Sequence, residues 1–177
     1  MMQTMIKEAE KVLYKIDKIL EESERLDIIY RTYLREIARS FNVKRVSLML
    51  IDETRRELFI HESEGLKPEL KSKARVKLGE GIAGWVAEKG EGVVVHDIEK
   101  SRLFREQKKD RGFRSGSFIS IPIKLRGRVY GVLNIAEKKD KTPFSTGELR
   151  FLEIFGMQLA VLLENQWLRR EIEWLER

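Results

Sequence analysis

Cysteine is absent from the 177-residue sequence. That excludes disulfide scaffolds, thiolate nucleophiles, iron–sulfur clusters, cysteine-ligated zinc and thioether-linked cofactors together. Histidine is scarce, with His61 and His96 as the only two. Adjacent His96 and Asp97 would point to opposite faces of a strand, so they do not form an oriented catalytic dyad, and no metal site is expected. Long apolar runs are missing too: residues 159–163 form the longest, far short of the roughly 20 needed to cross a bilayer. Glu8, Glu10 and Asp17 interrupt the first twenty residues, so no secretory signal is expected and the sequence reads as cytoplasmic. Charged residues at 36% and hydrophobic ones at 42% suit one folded domain with helical extensions. Abundant Lys, Glu and Arg without cysteine give a thermophile-like composition.

The formal net charge of +6 comes from the middle of the chain. There Lys100, Arg102, Arg105, Lys108, Lys109, Arg111 and Arg114 face only Glu106 and Asp110. This run either attracts anions or is a solvated loop. No RNA-binding or helix-turn-helix signature accompanies it, so nucleic acid is not an expected partner.

Both ends carry helical periodicity. Met5, Ala9, Val12, Ile16, Ile19, Ser23, Leu26, Tyr30, Tyr33 and Ile37 alternate by four and three, which keeps one stripe facing a partner surface. Ser23 either interrupts one long rod or caps a second helix after a bend. At the other end, Ser145 and Glu148 have the spacing of a capping box, with Phe144 and Leu149 placed as a hydrophobic staple, so a helix begins there. Along it Val161, Asn165, Leu168, Ile172 and Leu175 repeat the four-three spacing, and Asn165 is the polar member that fixes register in paired helices. Each stripe either pairs with a second copy or docks on the chain's own core.

Between the ends the period changes to two. Residues 46–51, 58–61, 75–78 and 93–95 read as strands. Residues 117–124 and 128–136 are longer strands joined by Leu125, Arg126 and Gly127, a connection so short that the pair is an antiparallel hairpin. Short helices are expected at 82–88, closed by Gly90, and around 98–106.

Gly79, Gly81 and Gly84 spell G-x-G-x-x-G, superficially a dinucleotide fingerprint. The fingerprint needs a crossover helix leading to a parallel strand, and the helix here is too short and the following sheet antiparallel. The glycines read instead as a turn requiring permissive φ, with Gly84 allowing close approach of helix to sheet. Ser115 lacks the spacing of a nucleophile elbow and no carboxylate pair stands out, so the chain is not read as an enzyme.

Several blocks in order then resemble one family: Leu78-Gly-Glu-Gly-Ile-Ala-Gly-Trp-Val-Ala continuing to Asp97, Arg102-Leu-Phe104, Ser117-Phe-Ile-Ser-Ile-Pro-Ile-Lys124, Gly131-Val-Leu-Asn-Ile-Ala136 and Phe144-Ser-Thr-Gly-Glu-Leu149. Together they are similar to a GAF domain. The resemblance implies an α+β fold related to PAS domains. It would have a central antiparallel sheet of five or six strands, the N- and C-terminal helices packed on one face, and loops and short helices on the other. It divides the chain into an N-terminal helical extension (1–24), the GAF domain (25–165) and a C-terminal signalling-helix extension (166–177).

Functionally the resemblance implies a non-catalytic sensory or regulatory module that binds a small molecule. Such modules form homodimers through their flanking helices and control a kinase, cyclase or transcription activator. A ligand-free dimerisation scaffold is the alternative. Positions matching the family's pocket are Trp85, Val95, Asp97 and Phe104, followed by Phe113, Ser117, Ile119 and Ile121. A dimer interface would draw on Ile16, Ile19, Leu26, Tyr30 and Tyr33 at one end, and on Val161, Asn165, Leu168, Ile172 and Leu175 at the other. Bilin attachment and methionine-sulfoxide reduction in this family use cysteines, which the chain lacks. Its cyclic-nucleotide binders carry an Asn, Lys, Phe, Asp, Glu signature. Here Lys138 and Phe144 fit, while Glu137, Glu148 and Leu149 replace the rest. A haem-binding member would need His61 or His96 as axial ligand.

Overall fold

The computed structural model describes residues 25–97, 100–101 and 116–176, together with 3, 7, 10–15 and 18. The expected helix around 98–106, most of the basic run, the Ser23 cap, Phe104, Phe113, Met5, Ala9, Ile16 and Ile19 lie outside the described residues. The element order is α1 (Leu26–Ser40), β1 (Val43–Asp52), β2 (Glu57–Glu64), α2 (Pro68–Lys73), β3 (Arg75–Lys77), α3 (Gly81–Lys89), β4 (Val93–Val95), β5 (Phe118–Leu125), β6 (Arg128–Lys138) and α4 (Thr146–Leu175). The strands form one sheet in the order β3-β2-β1-β6-β5-β4. Every described pairing is antiparallel. The short α2 carries Pro68 at its first turn, where the missing N–H costs no bond, and it had no counterpart among the expected elements.

The β5–β6 connection closes on Arg126 (φ 49°) and Gly127 (φ 83°), with Leu125 opposite Arg128. Two consecutive positive φ values make the tight hairpin turn whose twist matches the strands it joins.

Strand alternation divides the core into two layers. Val46, Leu48, Ile119, Ile121, Leu133 and Ile135 pack with Tyr33, Leu34 and Ile37 of α1 and with Leu152, Phe155 and Leu159 of α4. Residues one step away, Met49, Phe118, Val132 and Ala136, form a second layer with Ile82 and Val86 of α3. Each fully buried aliphatic side chain contributes about 1.5–3 kcal/mol by leaving water. The terminal helices α1 and α4 therefore share one face of the sheet, and α3 covers the other.

The capping box at the start of α4 is formed in both directions. Ser145 Oγ accepts from the Glu148 backbone N–H, and the Ser145 N–H donates to Glu148 Oε2 at 2.8 Å. Buried positions Leu152, Phe155, Leu159, Ala160 and Leu163 then follow the helical repeat onto the sheet. From Trp167 to Glu176 every residue is exposed.

The α1 stripe turns inward. Tyr30 and Tyr33 are 1% and 2% exposed. The Tyr30 hydroxyl donates to Gln166 Oε1 at 2.7 Å, and that of Tyr33 to the Phe155 carbonyl at 2.8 Å and Gln158 Oε1 at 2.9 Å. These two tyrosines thus fill the layer between α1 and α4 of one chain, a correction to their expected place in an interface between copies. Leu26 is half-buried against the same core, and Val12, in the helical segment 10–15, is buried in it.

Candidate functional site

On the face away from the terminal helices, the sheet and the α2–β3–α3 segment enclose a cavity of about 820 Å³. Its walls include Leu66, Leu70 and Ala74 on one side and Ile82 and Ala83 on the other. Arg45, Lys73, Arg75 and Glu80 supply its charged lining. Its floor is sheet: Ser47 and Met49 from β1, Ile60 from β2, Phe118 from β5, Asn134 and Ala136 from β6.

Two floor residues, Ser47 and Asn134, belong to a polar row whose third member, Ser120, lies outside the lining. Asn134 of β6 stands opposite Ser47 of β1 on one side and Ser120 of β5 on the other. Ser120 Oγ donates to Asn134 Oδ1 at 2.7 Å, and Asn134 Nδ2 donates to Ser47 Oγ at 3.2 Å. All three side chains are buried. Hydrogen bonding to each other lowers the cost of placing them on an otherwise apolar face.

Around the opening, charges are matched. Arg45 Nε lies 3.2 Å from Glu137 Oε1, and Arg75 Nε lies 3.4 Å from Glu57 Oε1. The Arg75 guanidinium also sits over the Phe59 ring, 5.6 Å from its centroid.

The turn before α3 shapes the adjoining wall. Gly79 and Gly81 have φ of 83° and 62°, and a Cβ on Gly84 would lie 2.2 Å from the Lys77 carbonyl oxygen. Two of the glycines supply left-handed backbone and the third supplies clearance, as their spacing had indicated. Gly90 closes α3 in the left-handed region, its N–H bonded to the Val86 carbonyl.

None of the six described residues expected in the pocket lines this cavity. Ile119 and Ile121 are corrected outright: both are fully buried on the opposite face, in the layer with α1 and α4. Their strand alternation sends them there, while Phe118 and Ser120 point to the other face, where Phe118 lines the cavity. Val95 and Trp85 belong to the apolar layer beneath the cavity. Ser117 Oγ accepts from the Phe144 N–H at 3.0 Å, tying β5 to the start of α4. Asp97 pairs with Lys100, whose Nζ is 3.6 Å from Asp97 Oδ2 and whose N–H bonds the Asp97 carbonyl.

Ser47, Asn134 and Arg45 were missed. Their signal was present: Ser47 and Asn134 are polar residues set between apolar neighbours in strands whose alternate positions are buried. Neither histidine lines the cavity. His61 stacks edge-on against Tyr30 at 5.0 Å, on the α1 side of the sheet edge. Burial there holds its pKa below the usual imidazole value. Lys138, one of the two matches to the cyclic-nucleotide signature, lies 2.6 Å from Glu148 Oε1 and over the Phe144 ring, joining β6 to α4 outside the cavity. Among the described residues no group of His, Asp or Glu is arranged to hold a metal, and no helix is long and apolar enough to cross a membrane.

With this geometry in view, the family model described as GAF domain matches residues 25–163. The chain belongs to the GAF domain family. It is 35% identical over 158 residues to nitrogen fixation protein VnfA of Azotobacter vinelandii, covering 86% of this chain and 30% of that protein. It is 32% identical over 177 residues to the Nif-specific regulatory protein of Herbaspirillum seropedicae, covering 93% and 32%. The GAF chain thus spans about a third of the length of these curated relatives. Among solved structures, the GAF domain from Acinetobacter phosphoenolpyruvate-protein phosphotransferase superposes with a TM-score of 0.77 at 24% identity, covering 92% of this chain and 97% of that one. That likeness concerns the fold, an α+β GAF fold with a six-stranded antiparallel sheet.

Proposed function

We propose that this GAF domain is a non-catalytic regulatory module that binds a small molecule in the cavity and passes the bound state to an output domain through its terminal helices. The observation that carries the reading is the cavity itself, an 820 Å³ space with apolar walls and a hydrogen-bonding floor, the composition typical of ligand sites. The name of one relative, Nif-specific regulatory protein, supports a regulator, and a transcription activator is the output we favour among those the family implies. A cytoplasmic setting suits that role.

A physical route from cavity to helices supports the reading. Helix α2 contributes Leu70 and Lys73 to the cavity wall, and its Lys71 bonds Glu62 at the sheet edge at 2.6 Å. Glu62 also faces Arg31 of α1 at 3.9 Å. A ligand that stabilises one position of α2 would bias α1, and through Tyr30 and Tyr33 the long helix α4.

A thermal-shift screen of the full chain against a metabolite panel tests this. A compound selective for the folded state at a hundred times its Kd adds about 2.7 kcal/mol of stability. A panel covering the main classes of small metabolite that raises no melting temperature would sink the sensor reading. It would leave a second one, a ligand-free dimerisation scaffold, favoured by the exposed apolar stripe of Val161, Leu168, Ile172 and Leu175 on α4.

A further inference from the structure

The floor of the cavity narrows what it accepts, on the reading that the cavity is a ligand site. Ser47, Asn134 and Ser120 come from three neighbouring strands at one cross-strand row. The remaining buried residues of that sheet face include Met49, Phe118, Val132 and Ala136. Folding alone would be served as well by apolar side chains in the row, which would carry no desolvation cost.

The hydrogen bonds in the row run in one sense, from Ser120 to the Asn134 amide oxygen and from the amide nitrogen to Ser47. An amide nitrogen has two N–H donors and a serine one O–H. The second Asn134 N–H and the Ser47 O–H therefore have no acceptor among the described residues. Asn134 and Ser47 are 9% and 8% exposed, and both line the cavity. The floor asks its occupant for hydrogen-bond acceptors.

It does not ask for charge. No ionisable side chain joins the row, and Arg45 and Arg75 already face Glu137 and Glu57. Lys73 and Glu80, of opposite sign, are exposed. A carboxylate or phosphate carried down to Ser47 and Asn134 would shed its hydration without a fixed counter-charge, whereas a carbonyl or ring nitrogen would not.

We propose that the cavity takes an uncharged organic molecule whose carbonyl or ring-nitrogen acceptor sits on Ser47 and Asn134, with its apolar body against Met49, Ile82 and Phe118. Matched pairs that differ in charge but little in shape test this: nicotinamide against nicotinate and benzamide against benzoate, followed by saturation-transfer NMR at pH 7. The wild-type chain is compared with the triple variant Ser47→Ala, Asn134→Leu and Ser120→Ala. At least one amide is expected to bind about tenfold or more tightly than its acid, with binding lost in the triple variant. The unliganded triple variant is expected to melt at the wild-type temperature or above, because removing the whole row orphans no partner.

Acids binding as tightly as the amides, or no binding by either amide, would overturn the uncharged class, and the metabolite screen decides the ligand-site reading separately. Binding unchanged by the triple variant, or a clear drop in its melting temperature without ligand, would make the row a folding element instead. Should the triple variant fail to fold, Ser47→Ala alone is expected to weaken the amide by about three- to tenfold. An unchanged affinity in that variant would refute the proposal.

Discussion

Lys71 Nζ lies 2.6 Å from Glu62 Oε1, an ion pair in which the carboxylate is buried and the ammonium half-exposed. Burial by itself would raise the Glu62 pKa, but the Lys71 bond, the Ser63 N–H and the nearby charges of Lys71 and Arg31 outweigh it, and the net position is below the ordinary carboxylate value. Lys71→Met is expected to destabilise the chain by about 1–3 kcal/mol at pH 7, since it leaves a buried acceptor without its charged donor. A folded-state pKa below the unfolded one means stability present above the ordinary value of 4.5 and lost as pH falls through the depressed one. The difference in melting temperature between wild type and Lys71→Met should therefore shrink on acidification below that value. A gap that stays constant to pH 3 would show that the pair does not act through charge.

The Ser145–Glu148 box predicts a second effect. Ser145→Ala removes the acceptor for the Glu148 N–H at the start of the 30-residue α4, and an N-cap of this kind is worth about 1 kcal/mol. Because Glu148 also pairs with Lys138, Glu148→Ala should cost more than Ser145→Ala. Urea denaturation of the two variants gives the order directly.

How far these features were legible in the sequence depends on how local they are. The capping box, the hairpin turn and the Gly79–Gly81–Gly84 turn are each decided within a few residues, and the structure has them as read. The stripe through Tyr30 and Tyr33 has a spacing that serves a paired helix and a docked helix equally, and only the third dimension assigns it to α4 of its own chain. The polar row needs three strands in register before Ser47, Asn134 and Ser120 become one object. Matching positions to a family's pocket went astray at Ile119 and Ile121 because one step along a strand changes the face.

Gly84 separates clearance from conformational freedom. Alanine favours helices over glycine by about 1 kcal/mol, yet a Cβ here would meet the Lys77 carbonyl oxygen at 2.2 Å. Gly84→Ala is expected to destabilise by about 1–3 kcal/mol as β3 and α3 are pushed apart. Gly127→Asn, at a left-handed turn position with open space around it, should cost far less, since asparagine tolerates that backbone. Equal losses in the two variants, measured by thermal unfolding, would rule out the close-approach explanation.

The exposed stripe of α4 makes the sharpest prediction about assembly. Val161, Leu168, Ile172 and Leu175 are 43%, 43%, 54% and 70% exposed, too much apolar surface along one helix for a face that stays in water. Asn165 lies on the same seven-residue repeat, where a polar member specifies register between paired helices. Because these side chains contribute little to the chain's own core, Leu168→Glu with Ile172→Glu should leave the monomer's melting temperature at low concentration unchanged. In sedimentation velocity the wild type should run as a dimer and the double variant as a monomer, with charge repulsion across the seam driving them apart. A wild type that sediments as a monomer across the micromolar range would remove the paired helix.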